Sequence, residues 1–295
     1  MPAEGNGLFH TFVFPLNNTQ TRYLRAIDYA PSDPKLLHGA LFTTDSTGSA
    51  EKYDAASSQP GYAAMGNHGL QLVGSHGSWV IGQQTHSLPS GYGWRVPPHS
   101  SFSIQTHFNP VGRSLPLTQE LALYYCDSPR YIVTSIALGN LCIDIPPGST
   151  QTLSFDYTLP VPVKLVGLFP QAHFVCSSLR IDLLDPLHDT RKSLLTISDW
   201  DPNWMQLYRC PEPLTLAAGT VIHAEYTFDN STANLQNPHS PPRRILLGRM
   251  PDDELALLLI HVAPLQREHL EKLENSHEEL FRRRQLDYQQ WLRNR

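Results

Sequence analysis

Residues 164–176 read KLVGLFPQAHFVC, an apolar, strand-like run with one histidine near its end. On a β-strand, residues i and i+2 share a face, so Gln171 and His173 are expected to project side by side. Two histidines at that spacing would form a metal chelate, and here a glutamine holds one of the two places. What the run means depends on its surroundings.

Working outward, the chain is strand after strand. TRYLRAIDYA (21–30), KLLHGALFTTD (35–45), FSIQTHFNP (102–110) and LALYYC (121–126) are short alternations rich in aromatic and β-branched residues. A second series includes RYIVTSIAL (130–138), TLSFDYTL (152–159), VIHAEYTF (221–228) and ELALLLIHV (254–262). Turn clusters such as PSDPK, PSGYG and NPVG separate them, and the 25 prolines suit many short connections. The expectation is all-β: two antiparallel β-sandwich, jelly-roll-like domains plus a C-terminal α-helix. With a boundary at the turn DSPR, the domains are 1–128 and 129–263, and the helical segment is 264–295.

That last segment differs in kind. From Pro264 the sequence is charged, and Leu270, Leu273, His277, Leu280, Arg284, Tyr288 and Trp291 recur at spacings of three and four. One helix from about 265 to 291 is expected, packed on its own β-domain or pairing with another chain as a homo-oligomer.

Charge is balanced, 22 basic against 27 acidic residues, which argues against nucleic acid or an anionic membrane as partner. The opening MPAEGNGLFHTFVFPLNN lacks a basic n-region, and no later run approaches a membrane span, so a soluble, cytoplasmic protein is expected. Cys126, Cys142, Cys176 and Cys210 are widely spaced and read as strand thiols. No G-x-S-x-G, H-E-x-x-H or phosphate-binding glycine loop occurs. The acids Asp199, Asp201 and Asp252–Glu254 read as turn and strand-end caps. Three histidines sit inside expected strands: His38, His107 and His173.

Several ordered segments carry a resemblance. They are LPSGYGWRVPPHSSFSIQTHFNPVG (88–112), DIPPGSTQTLSFDYTLPVPVKLVGLFPQAHF (144–174), the stretch from ISDWDPNW to FDNSTANLQNP (197–238), and PDDEL (251–255). From about residue 8 to 263 the chain resembles the copper type II, ascorbate-dependent monooxygenases, the family of peptidylglycine α-hydroxylating and dopamine β-monooxygenases, closest to its bacterial-type members. The resemblance implies two antiparallel β-sandwiches, with a copper on the facing side of each.

It also implies ligand positions. The family's first-domain copper takes adjacent histidines in one strand and a third from another; the matching residues here are His38-Gly39 and His107. The second-domain copper, which activates oxygen, takes H-x-H and the methionine of a D-E-M-like segment. Here these read Gln171-Ala172-His173 and Asp253-Glu254-Leu255. Gly39, Gln171 and Leu255 therefore replace family ligands, and Met250 is the nearest remaining thioether. Phe169 stands where peptide-hydroxylating members carry the arginine that holds the peptide carboxylate.

The reading that follows is a relative without the oxygen-activating copper, binding a small organic molecule in the interdomain cleft. His38, His107, His173 and Gln171 would line the cleft, Phe169 would touch the ligand, and a redox-neutral cyclisation or isomerisation is the chemistry left to such groups. No cofactor is then expected. Two alternatives stand beside it: an active copper- and ascorbate-dependent monooxygenase using a weakened first-domain site at His38 and His107, and a non-enzymatic binding or scaffold protein.

Overall fold

Alternating burial along the strands builds both halves of this protein. The structure is a computed structural model that describes residues 8–63, 74–83, 85–248 and 252–295. The chain divides into two compact units, Met1–Ser135 and Ile136–Arg295. The division falls a few residues after the turn at DSPR, inside a strand, and the charged C-terminal segment belongs to the second unit.

In the first unit the strands are β1 (Phe9–Pro15), β2 (Arg22–Pro31), β3 (Leu37–Asp45), β4 (Tyr62–Ala63) and β5 (Ser75–Trp79). They are followed by β6 (His86–Ser87), β7 (Tyr92–Val96), β8 (Ser101–Phe108) and β9 (Gln119–Cys126). A short helix, α1 (Ser49–Ala55), follows β3. One sheet runs β4-β1-β8-β3-β5, antiparallel throughout. In the other layer β2 pairs antiparallel with β6, β7 and β9, and β10 (Tyr131–Asn140) starts alongside β7 in parallel. Tyr29 of β2 meets Phe42 and Trp79 edge-on at 5.6 and 5.4 Å, which fixes how the two layers pack. His76 and His86 are buried in this core, on either side of Trp94.

The second unit adds β11 (Asp144–Ile145), β12 (Thr150–Thr158), β13 (Val163–Gln171), β14 (Cys176–Asp185) and β15 (Thr190–Ile197). It continues with β16 (Tyr208–Leu216), β17 (Val221–Asp229), β18 (Ile245–Leu246), β19 (Ala256–Pro264) and α2 (Leu270–Arg293). One sheet is ordered β12-β17-β14-β15, and in the other β13 lies between β16 and β19, with β10 beyond β19. Strand β17 shows the period-two logic: Ile222, Ala224, Tyr226 and Phe228 are fully buried, and the residues between them are half-buried. They face Leu165, Leu168, Leu258 and Ile260 of the other sheet across one core. All four cysteines are thiols.

Helix α2 closes this core. Leu273 and Leu280 belong to the apolar cluster, and His277 Nε2 accepts the amide N–H of Ala137 in β10 at 2.9 Å. A 3₁₀ turn at Arg267–His269 starts the helix a turn later than the sequence pattern gives, and it runs two residues further. One face of α2 thus packs on its own domain. Among the described residues no helix is long and apolar enough to cross a membrane.

Candidate functional site

The His173 site is built where β13 runs out. Strand β13 pairs with β19 up to Gln171↔Leu257, and His173 then lies in the connection to β14, two residues beyond the strand expected to carry it. The cause is local. Partner β16 leaves β13 at Leu168, Pro170 has no N–H to give, and the following amides are taken by a side chain. That side chain is Glu254. Its Oε1 accepts the N–H of His173 at 2.5 Å and of Leu255 at 2.8 Å; its Oε2 accepts those of Val175 and Cys176, both at 3.2 Å.

Alternation nevertheless persists through the turn. Gln171 and His173 are half-buried with Ala172 buried between them, and Leu255 and Leu257 are half-buried with Ala256 buried between them. The ladder ends at Gln171↔Leu257, and His173 meets the 253–255 segment through its Nδ1 contact with the Asp253 carbonyl and through Glu254 Oε1, which holds the N–H of both His173 and Leu255. The backbone of His173 and of Leu255 is thus held on one carboxylate oxygen at the end of the β13–β19 ladder, two residues past Gln171. Phe169 is 3% exposed on β13 and pairs with Leu259.

The imidazole of His173 is held in one tautomer. Its Nδ1 lies 3.0 Å from the carbonyl oxygen of Asp253, so Nδ1–H donates and Nε2 keeps its lone pair. Burial lowers the pKa of His173, which keeps the ring neutral at physiological pH. Burial pushes the Glu254 carboxyl up to about 8, against four amide donors that favour its ionised form.

In the first unit, His38 and His107 also come together. His107 lies in the central strand β8 with Phe9 of β1 on one side and Gly39 of β3 on the other. His38 sits in a β-bulge between Leu37 and Gly39, which re-aims its ring. The two imidazole centroids are 4.7 Å apart, and Phe9 stacks on His107 at 4.1 Å. Desolvation lowers the pKa of His38. A Cβ at position 39 would lie 2.9 Å from the carbonyl oxygen of Trp79, so the strand pairing leaves no room there for a side chain.

These donor sets do not fit the copper centres of the family. Copper that cycles between its two oxidation states is served by imidazole and thioether; an amide oxygen is a poor Cu(I) donor and leucine offers no lone pair. At the family's ligand positions the second unit offers one imidazole, one amide and one leucine, and the first unit brings two imidazoles together. Among the described residues no cluster of three His, Cys, Asp or Glu side chains could hold a metal ion, and Met250 lies outside them.

The motif residues split into supports and surface. Asn230 of FDNS is fully buried and its Nδ2 donates to the carbonyl oxygens of Ile145, Pro146 and Arg243, tying three segments together. Trp200 of DWDPNW is buried in the core, while Trp204 is 66% exposed. Glu254 is the residue whose weight sequence reasoning missed. Read as one of several turn caps, it is a fully buried carboxylate organising the His173 turn, and its signal was its place between Asp253 and the apolar run of β19.

No family model matches the chain, and no curated protein does. Similar solved structures include the VP2 subviral particle of infectious bursal disease virus, at 12% identity over 90% of this chain and 69% of that one, with a TM-score of 0.25. Another is the major capsid protein P2 of bacteriophage PM2, at 9% identity over 88% and 98% of the two chains, with a TM-score of 0.30. At these scores the likeness carries no argument about function or assembly.

Proposed function

We propose that this chain is a divergent relative of the copper type II monooxygenases that binds a small organic molecule at His173 instead of activating oxygen at copper. The observation that carries the reading is the state of His173: neutral, tautomer-locked by Asp253, with no imidazole at 171 and no thioether at 255. An imidazole so held is a proton acceptor, and the Asp253 carbonyl keeps its orientation when it takes a proton. The amide of Gln171, two residues before it at the end of β13, can donate to or accept from a bound hydroxyl or carbonyl. The chemistry open to such a pair is redox-neutral, a proton abstraction leading to isomerisation or cyclisation.

The test is reconstitution with copper followed by metal analysis and oxygen uptake with ascorbate. No copper held tightly at the second unit and no ascorbate-dependent oxygen consumption are expected. Ligand binding is checked by a thermal-shift screen of small hydroxylated and carbonyl compounds against native protein and His173→Ala. Two tightly bound coppers per chain, or hydroxylation coupled to ascorbate, would overturn the reading. A second reading rests on the 4.7 Å approach of His38 and His107, which could hold one copper weakly with water completing the shell. Loss of that copper in His107→Ala would identify it.

A further inference from the structure

Helix α2 is sharply divided in charge. Residues 267–280 hold five carboxylates against two basic residues, and residues 281–295 hold five arginines against one aspartate. This order complements the helix dipole, but the dipole acts only on the terminal turns and does not require a charged stripe along the whole outer face. With about 100° between successive residues, Glu268, Asn275, Glu279, Arg282, Leu286 and Arg293 fall on one line, opposite the buried Leu273, His277 and Leu280. All six are exposed, Leu286 to 64%. The acidic half of the line borders a groove of about 510 Å³ between α2 and Pro160, lined by Glu268, Glu271, Lys272, Asn275 and Glu279.

We infer that this face binds a second copy of the chain, with the two α2 helices antiparallel and the arginine half of each in the acidic groove of the other. Two-fold symmetry makes the test of complementarity strict, because every pair must occur twice. Centring the axis between Leu280 and Phe281 sets Glu279 against the partner's Arg282. It also sets Glu268 against the partner's Arg293, and Leu286 over the partner's Asn275. Two ion pairs, each made twice, are satisfied with no like charges opposed between them. The helix is about 36 Å long, so these contacts span its length. An interface of this kind is polar and salt-sensitive, and it is independent of the chemistry at His173.

The experiment is sedimentation velocity on the full chain across a wide concentration range. A reversible dimer is expected at low salt and a monomer at about 1 M salt, where the screening length falls to about 3 Å. Glu268→Arg/Glu279→Arg and Arg282→Glu/Arg293→Glu should each be monomeric, since each puts like charges opposite one another. Mixed together they restore complementarity at every changed pair and should form a heterodimer. Unchanged melting temperatures confirm that both variants fold, as expected for exposed positions. A native chain that stays monomeric overturns the inference. So does a dimer that survives both substitutions, or a mixture that fails to associate.

Discussion

Acid should loosen α2 through His277. Burial pulls this imidazole down to about 4 from its ordinary 6.5, and Nε2 is engaged as the acceptor of the Ala137 N–H, so protonation also breaks that bond. Because the folded pKa lies below the unfolded one, the unfolded chain binds the proton first. Stability is unaffected above 6.5, falls as pH drops from 6.5 to 4, and has lost the whole contribution below 4. A displacement of that size corresponds to about 3 kcal/mol. His261 in β19, also pulled down to about 4 by burial, acts in the same direction, so the native acid loss is a sum. His277→Gln isolates one part, since an amide oxygen can accept the Ala137 N–H and does not titrate. Urea denaturation of both proteins at neutral pH and at pH about 4 should show the variant losing about 3 kcal/mol less than the native chain. Parallel stability curves, or an NMR titration placing His277 near 6.5, would refute the reasoning.

Truncating Leu273 to alanine should cost about 2–5 kcal/mol, because the side chain is fully buried in the core cluster, whereas Leu286→Ala should stay within about 0.5 kcal/mol; thermal melts distinguish them. Gly39→His should lower the melting temperature without any gain in copper at His38 and His107, because its Cβ meets the Trp79 carbonyl at 2.9 Å. Asn230→Ala leaves three backbone carbonyl groups short of a donor and should cost at least about 2 kcal/mol in denaturation, showing that FDNS is structural. Glu254, with its folded pKa raised to about 8 from 4.5, should add stability that is full below 4.5 and lost as pH rises to 8, a slope absent in Glu254→Gln.

Period-two and period-3.6 patterns carried most of the fold, because burial on one face is written into side-chain identity. The β17 alternation and the Leu273–His277–Leu280 face of α2 are direct cases. Strand ends were less legible. The end of β13 is set by a carboxylate some eighty residues away, and the division of the units falls inside β10, which no composition change marks. The meeting of His38 with His107 was an expectation of the resemblance alone; spacing gave only the expectation that Gln171 and His173 share a face. The interior roles of His76 and His86 left no trace in the sequence, since a core histidine and a ligand look alike until their neighbours are seen.

The arrangement around Glu254 leads to a last prediction. Exchanging this residue would leave up to four amide N–H groups without their acceptor, at about 1–3 kcal/mol each. Leucine 255 has no comparable role, since what Glu254 holds is its backbone N–H. Glu254 Oε1 holds the backbone N–H of both residue 255 and His173, whatever the side chain at 255 is. A methionine placed there, with a histidine at 171, should supply the missing thioether and second imidazole to His173, whose Nδ1 is the atom engaged with Asp253. Gln171→His/Leu255→Met should therefore bind copper tightly enough to resist dialysis, and should be stabilised by about 3 kcal/mol at a free copper concentration 100 times its Kd. Each single substitution leaves two good donors and should gain little. Adding Glu254→Gln to the pair should remove most of the gain, because the turn no longer holds its shape. A double variant that melts like the native chain yet gains no copper would show that His173 and residue 255 do not form one site.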